Sequence, residues 1–282
     1  GKGATATVYL GEHLETGQQV AVKRVEFGNE RGVKWNRRIR KLFNIEGNVG
    51  RVLNHPNIVQ VFETVIADDQ AYIVMEFLEG YPLDQFITFD KLLPVHQAVG
   101  IIFKCCLALD HAYHRGIIHR DIKPANIFVC GKEDAKIMDF GLALDVTKKA
   151  VTDSTHITGV GSPAYMSPEQ IKGYPLNQKS DIFSLGVVLY QLLTGRLPFR
   201  AANSAQLIYK IINMEPDPVS KVNPNVPAVL DKIVKKALEK DLYGRYKNGA
   251  EMAKDLSAVR YQILDDNYVP VDTTRFDTLR KS

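Results

Sequence analysis

The sequence predicts an α+β chain with its strands in the first third and helices through the rest. Three observations predict it. Val8-Tyr9-Leu10 and Val20-Ala21-Val22 are short apolar runs on either side of Glu15-Thr16-Gly17, which is a hairpin signal. A helix is expected from Arg31 to Leu53, and Val59 to Phe62 and Ala71 to Met75 read as two further strands. Beyond Val95 the apolar positions recur with helical spacing, and the segment from Asp181 to Tyr190 is apolar nearly all round, as in a buried central helix. At 282 residues and 45% hydrophobic content, the chain can bury a sizeable core.

The order of elements is a hairpin, one helix, two strands, a linker at Glu76 to Gly80, and then a helix from Val95 to Arg115. Further helices are expected from Ala205 to Asn213, Pro227 to Glu239 and Gly249 to Val259, with a polar tail after Asp265. Between the Val95–Arg115 helix and the run that opens at Asp181 lies the stretch on which the chemistry turns. His119-Arg120-Asp121-Ile122-Lys123-Pro124-Ala125-Asn126 carries charges alternating with Ile122 and Pro124, the pattern of a loop anchored from beneath with polar groups facing a cleft. Asp121 can accept a proton from a hydroxyl, Lys123 can neutralise a phosphoryl oxygen, and Asn126 can offer its carbonyl oxygen to Mg²⁺. Phosphoryl transfer needs such parts, because its transition state is chiefly a problem of positioning and charge neutralisation.

HRDIKPAN followed by Asp139-Phe140-Gly141 resembles the catalytic and metal loops of eukaryotic-type protein kinases, and Lys123, two residues after the aspartate, resembles the serine/threonine class. The likeness runs from Gly1 to about Asp255, and the run from Gly161 to Gly173 resembles bacterial members. It implies a two-lobed protein-kinase fold: a small antiparallel β-sheet lobe with one regulatory helix, residues 1–78, and a larger mainly α-helical lobe, residues 79–264, ahead of a tail at 265–282. The implied activity is transfer of the ATP γ-phosphate to serine or threonine hydroxyls of protein substrates, with ATP and Mg²⁺ in the crevice. A pseudokinase, keeping the fold as a nucleotide-binding scaffold, is the alternative, and filled charged positions speak against it. A small-molecule phosphotransferase is a third reading, disfavoured by the Ser162 to Glu169 segment, which resembles a peptide platform.

The resemblance also assigns residues. Gly1, Lys2 and Gly3 belong to a glycine-rich loop over the phosphates, with Ala6 in place of a third glycine. Lys23 resembles the strand lysine that holds the α- and β-phosphates, and Glu46 the helix glutamate that pairs with it. Val8, Ala21 and Phe128 would sandwich adenine, main-chain groups of Glu76 and Leu78 would bond it, and Met75 would stand behind the pocket. Asn126 and Asp139 would hold the metal. Arg120 would bind phosphate on the long segment after Gly141, where Thr158 is the first candidate and Thr155 the second. Ser162 would bond Asp121 and Lys123, Glu169 would pair with Arg245, and Asp181 would accept bonds from the catalytic loop.

Two departures from the family pattern stand out. Ser167 replaces a usual alanine. Gly47 and Gly50 interrupt the first helix, each costing about 1 kcal/mol relative to alanine, and Gly50 falls where an apolar residue ordinarily stacks on Phe140. A loosely held helix is the expectation, secured by a partner or a phosphate.

Net charge of +4 leaves nucleic-acid binding dependent on a concentrated basic face. The run from Arg31 to Lys41 is that face, but Trp35 is its only aromatic, so no nucleic-acid partner is expected. It reads as a solvated helix face, or as a dock for a phosphorylated loop or acidic partner. Cys105, Cys106 and Cys130 form neither a disulfide framework nor a zinc pattern, which points to a reducing cytoplasm. No run in this fragment is long enough to span a bilayer. The chain opens inside a motif at Gly1, so the expectation is the cytosolic part of a longer chain, with a homodimer for trans-autophosphorylation left open.

Overall fold

The computed structural model describes residues 6–28, 32–131, 133–146 and 163–265. β1 (Thr7–Glu12) and β2 (Gln19–Glu26) form the expected hairpin, with Gly17 turning the chain at φ 68°. α1 spans Gly32–Val52, and β3 (Val61–Ile66) and β4 (Gln70–Glu76) complete a four-stranded antiparallel sheet of order β1-β2-β4-β3. Val25, Ile39, Phe43, Val61, Ala71 and Ile73 bury one side of that sheet against α1.

β3 starts later than the expected Val59. The Val59 N–H donates to Ile137 O at 3.0 Å, in a parallel bridge between Ile58 and Ile137, so this part of the chain joins the two lobes and sheet pairing waits until Val61. The register then shifts between Val61 and Glu63, which makes Phe62 a bulge.

In the larger lobe, β5 (Tyr81–Pro82) pairs with β7 (Ile127–Cys130), which pairs with β8 (Asp134–Ile137); β6 (Ile117–Ile118) pairs with β9 (Leu144–Asp145). α2 (Val95–His114) leads into this strand cluster, and α3 (Pro168–Lys172) precedes α4 (Gln178–Thr194). All of α4 from Ser180 to Thr194 is buried, which makes it the central post of the lobe. Asn177 caps its start, and Gly195 ends it in the left-handed region. α5 (Ser204–Asn213), α6 (Val219–Val222), α7 (Val229–Ala237) and α8 (Gly249–Asp265) surround α4 and α2. α8 runs past the expected Val259 because Ile263 still reaches the core. Among the described residues no helix is long and apolar enough to cross a membrane.

Candidate active site

The loop from His119 to Asn126 is held from below, as its alternation of charged and apolar residues demands. Ile118, Ile122 and Ile127 are buried on the core side. Asp181, at the start of α4, accepts hydrogen bonds from the His119 and Arg120 main-chain N–H groups, both at 2.8 Å. Burial raises the Asp181 carboxyl above its ordinary pKa, against the pull of His119 and those two amides. Arg120 takes a φ of 71° and Asp139 one of 63°, left-handed conformations that side-chain-bearing residues seldom adopt outside functional sites.

Three polar side chains converge on one point of this loop. Lys123 Nζ lies 2.6 Å from Asp121 Oδ2, and Asn126 Nδ2 donates to the same oxygen at 3.0 Å and to Asp121 O at 2.8 Å. With its nitrogen so engaged, the Asn126 carbonyl oxygen is the end left to meet a cation.

A second group spans the two lobes. Lys23 on β2 contacts Glu46 on α1 at 2.9 and 2.8 Å and Asp139 at 3.4 Å. Burial alone would depress the Lys23 ammonium, yet Glu46 and Asp139 together lift its pKa above the ordinary value. Burial pushes the Asp139 carboxyl up, but the charge and hydrogen bond of Lys23, with the charges of His119 and Lys123, together hold that group below its usual range. His119 links the two groups: its Nδ1 accepts from the Asp121 N–H at 3.2 Å and its Nε2 meets Met138 O at 3.0 Å. Its ring also lies 4.5 Å from that of Phe140. A ring carrying its proton on Nε2 satisfies both bonds.

The residues expected at adenine sit on paired strands. Ala21 pairs with Leu10 on one side and Met75 on the other, Val8 stands opposite Lys23, and Phe128 stands opposite Pro82. The Glu76 N–H is taken by Gln60 O at 2.9 Å, which narrows the main-chain role of Glu76 to its carbonyl. Leu78 is half-buried just beyond. Gly1, Lys2, Gly3, Thr155, Thr158 and Ser162 lie outside the described residues.

Further connections tie the loop to its surroundings, and the expected Glu169–Arg245 pair is among them. The Glu76 carboxylate accepts from the Gln60 N–H at 2.7 Å and from Lys136 Nζ at 2.8 Å, so the linker between lobes is strapped to the strand leading into Asp139. Ser167 caps α3, accepting from the Gln170 N–H at 3.3 Å while the Gln170 side chain returns the bond at 2.9 Å. Gln170 Nε2 also donates to Arg120 O at 2.8 Å, which ties α3 to the catalytic loop. The serine that departs from the family pattern thus has a capping job. Glu169 pairs with Arg245 at 2.7 Å and is 4% exposed.

Comparison with known proteins gives the family. The family model described as "Protein kinase domain" matches residues 1–257, and the chain belongs to that family. It is 36% identical over 256 residues to the serine/threonine-protein kinase PrkC of Bacillus subtilis, covering 91% of this chain and 39% of PrkC. It is 37% identical over 267 residues to the serine/threonine-protein kinase PknB of Mycobacterium leprae, covering 92% of this chain and 42% of PknB. The chain therefore spans about two fifths of the length of these relatives.

Proposed function

We propose that this chain is the catalytic domain of an ATP-dependent serine/threonine protein kinase. The observation that carries the reading is the pair of side-chain groups, Asp121 with Lys123 and Asn126, and Lys23 with Glu46 and Asp139, joined through His119. The kinase names of PrkC and PknB support it.

The donor set fits Mg²⁺. The Asp139 side chain is 44% exposed, and the Asn126 oxygen is turned from its own hydrogen-bonded nitrogen. Hard oxygen donors of this kind, one or two from protein with the rest from phosphate and water, suit that ion. Bound there, Mg²⁺ would neutralise the negative charge of the β- and γ-phosphates.

Lys23, held by Glu46, meets the α- and β-phosphates. Asp121 orients a serine or threonine hydroxyl and takes its proton as the new O–P bond forms. The bond between the γ-phosphorus and the β,γ-bridging oxygen breaks, and ADP departs. Lys123 leaves Asp121 far enough to steady the transferring phosphoryl group. We place this domain in a reducing cytosol, since Cys105 and Cys106 are buried and unpaired. Arg120 is assigned to a phosphate on Thr158 or Thr155, added in trans by a second copy.

Phosphoamino-acid analysis of a generic basic protein incubated with this chain, ATP and Mg²⁺ tests the reading. Phosphoserine and phosphothreonine, abolished by chelating Mg²⁺, are expected. Phosphotyrosine, or nucleotide binding without transfer, would reject it.

A further inference from the structure

α1 meets the edge strand β3 through two glycines. A Cβ placed on Gly47 would lie 2.2 Å from Thr64 Oγ1, and one on Gly50 would lie 2.3 Å from Val61 Cγ2 and 2.7 Å from Val61 Cβ. Gly47 and Gly50 are three residues apart and share one helix face. Residues 61 and 64 of a regular strand would point to opposite faces, but the bulge at Phe62 turns both towards the helix. Thr64 Oγ1 is buried with no hydrogen-bond partner, so it is pressed against the helix and not bonded to it. These are two knob-in-hole contacts, one helical turn apart.

We propose that Gly47 and Gly50, seated on Thr64 and Val61, are positioning residues that set the height of α1 over the sheet and so close the Lys23–Glu46 contact. Glu46 directly precedes Gly47, and its reach to Lys23 is fixed by how near the helix lies. The knob at Val61 cannot yield, because it is 5% exposed and paired with Met75. A methyl at position 50 must therefore lift the helix by about 1 Å or more to reach ordinary van der Waals separation. That displacement is enough to break a 2.8 Å contact. The role in turnover rests on the kinase reading above; the steric role does not.

Helix propensity makes the opposite prediction, since alanine at either glycine favours an isolated helix. The test is kcat and KM for ATP in the wild type, Gly50→Ala and Gly50→Ala/Val61→Gly, each with Glu46 intact and with Glu46→Gln. We expect Gly50→Ala to cut kcat by about tenfold with KM little changed. Val61→Gly, which removes the atoms the new methyl strikes, restores most of the loss. In the Glu46→Gln background Gly50→Ala changes kcat by less than about twofold, because both act on one contact. An unaltered kcat, or the same loss in both backgrounds, would overturn the proposal.

A second readout needs no activity. The coupling between Lys23→Met and Glu46→Gln, read from urea midpoints, is expected with Gly50 present, absent in Gly50→Ala, and regained with Val61→Gly. If the wild type transfers no phosphate, the kinase reading fails while this cycle still decides the placement of α1. Coupling that persists in Gly50→Ala would sink it.

Discussion

Lys123 Nζ stands 2.6 Å from Asp121 Oδ2, so the cation assigned to the phosphoryl group rests on the carboxylate assigned to the acceptor hydroxyl. One atom position would thereby serve both halves of the proposed transfer. Lys123→Ala removes the charge proposed to steady the transferring group and, among the described residues, leaves Asn126 as the side-chain donor to that oxygen. We expect kcat to fall by about 10²-fold or more with KM for ATP within about threefold of wild type, by steady-state kinetics.

Glu46→Gln keeps the shape of the side chain and removes its charge. Among the described residues Lys23 then keeps Asp139, at 3.4 Å, as its one acidic ion-pair partner, and its ammonium is drawn towards that carboxylate. Loss of about tenfold or more in kcat/KM for ATP is expected, with far-ultraviolet circular dichroism unchanged.

Asp181 carries no chemistry, yet it orders the loop that does. Asp181→Ala leaves the buried His119 amide and the part-buried Arg120 amide without the acceptor they share. Each stranded donor costs about 1–3 kcal/mol, so the urea midpoint should drop clearly, and activity should fall because Asp121 loses its support. A midpoint equal to wild type would show that the loop does not depend on Asp181.

The Glu169–Arg245 pair predicts a pH dependence of stability. Burial pushes the Glu169 carboxyl up, but hydrogen bonding and charge from Arg245, with a bond from Ser180, hold it below the ordinary 4.5. A depressed carboxyl contributes stability that is complete above the unfolded value and is lost as pH falls through the folded one. Wild-type stability should therefore decline more steeply than that of Glu169→Gln as pH falls from about 5 to about 3. At neutral pH, Glu169→Ala strands Arg245, whose side chain is fully buried, at a cost of about 3–5 kcal/mol. Denaturant titrations across that range check both statements.

What could be read in advance was what depends on local pattern. The alternation around Ile122 and Ile127 announced an anchored polar loop, and the all-round apolar run after Asp181 announced a central post. Glu46 was found from its spacing within a motif order. Gly47 and Gly50, which in the sequence point to a weakened helix, also admit Thr64 and Val61 in the fold. No single-sequence period encodes that fit, nor the bulge that aims both side chains. The Glu76–Lys136 strap joins residues sixty positions apart, and neither residue signals it alone. Ser167 carried a readable sign, a serine three residues before Gln170, which is a capping-box spacing.

The central claim is that Asp121 serves ATP-dependent transfer to serine or threonine. Wild type and Asp121→Asn, each incubated with ATP and Mg²⁺, should be compared by phosphosite mapping in a mass spectrometer. Phosphate on serine or threonine in the wild type, Thr158 and Thr155 foremost, and a fall of about 10²–10⁴-fold in the variant is the predicted result. Equal phosphorylation of both proteins, or none in a wild type that binds the nucleotide, would contradict it.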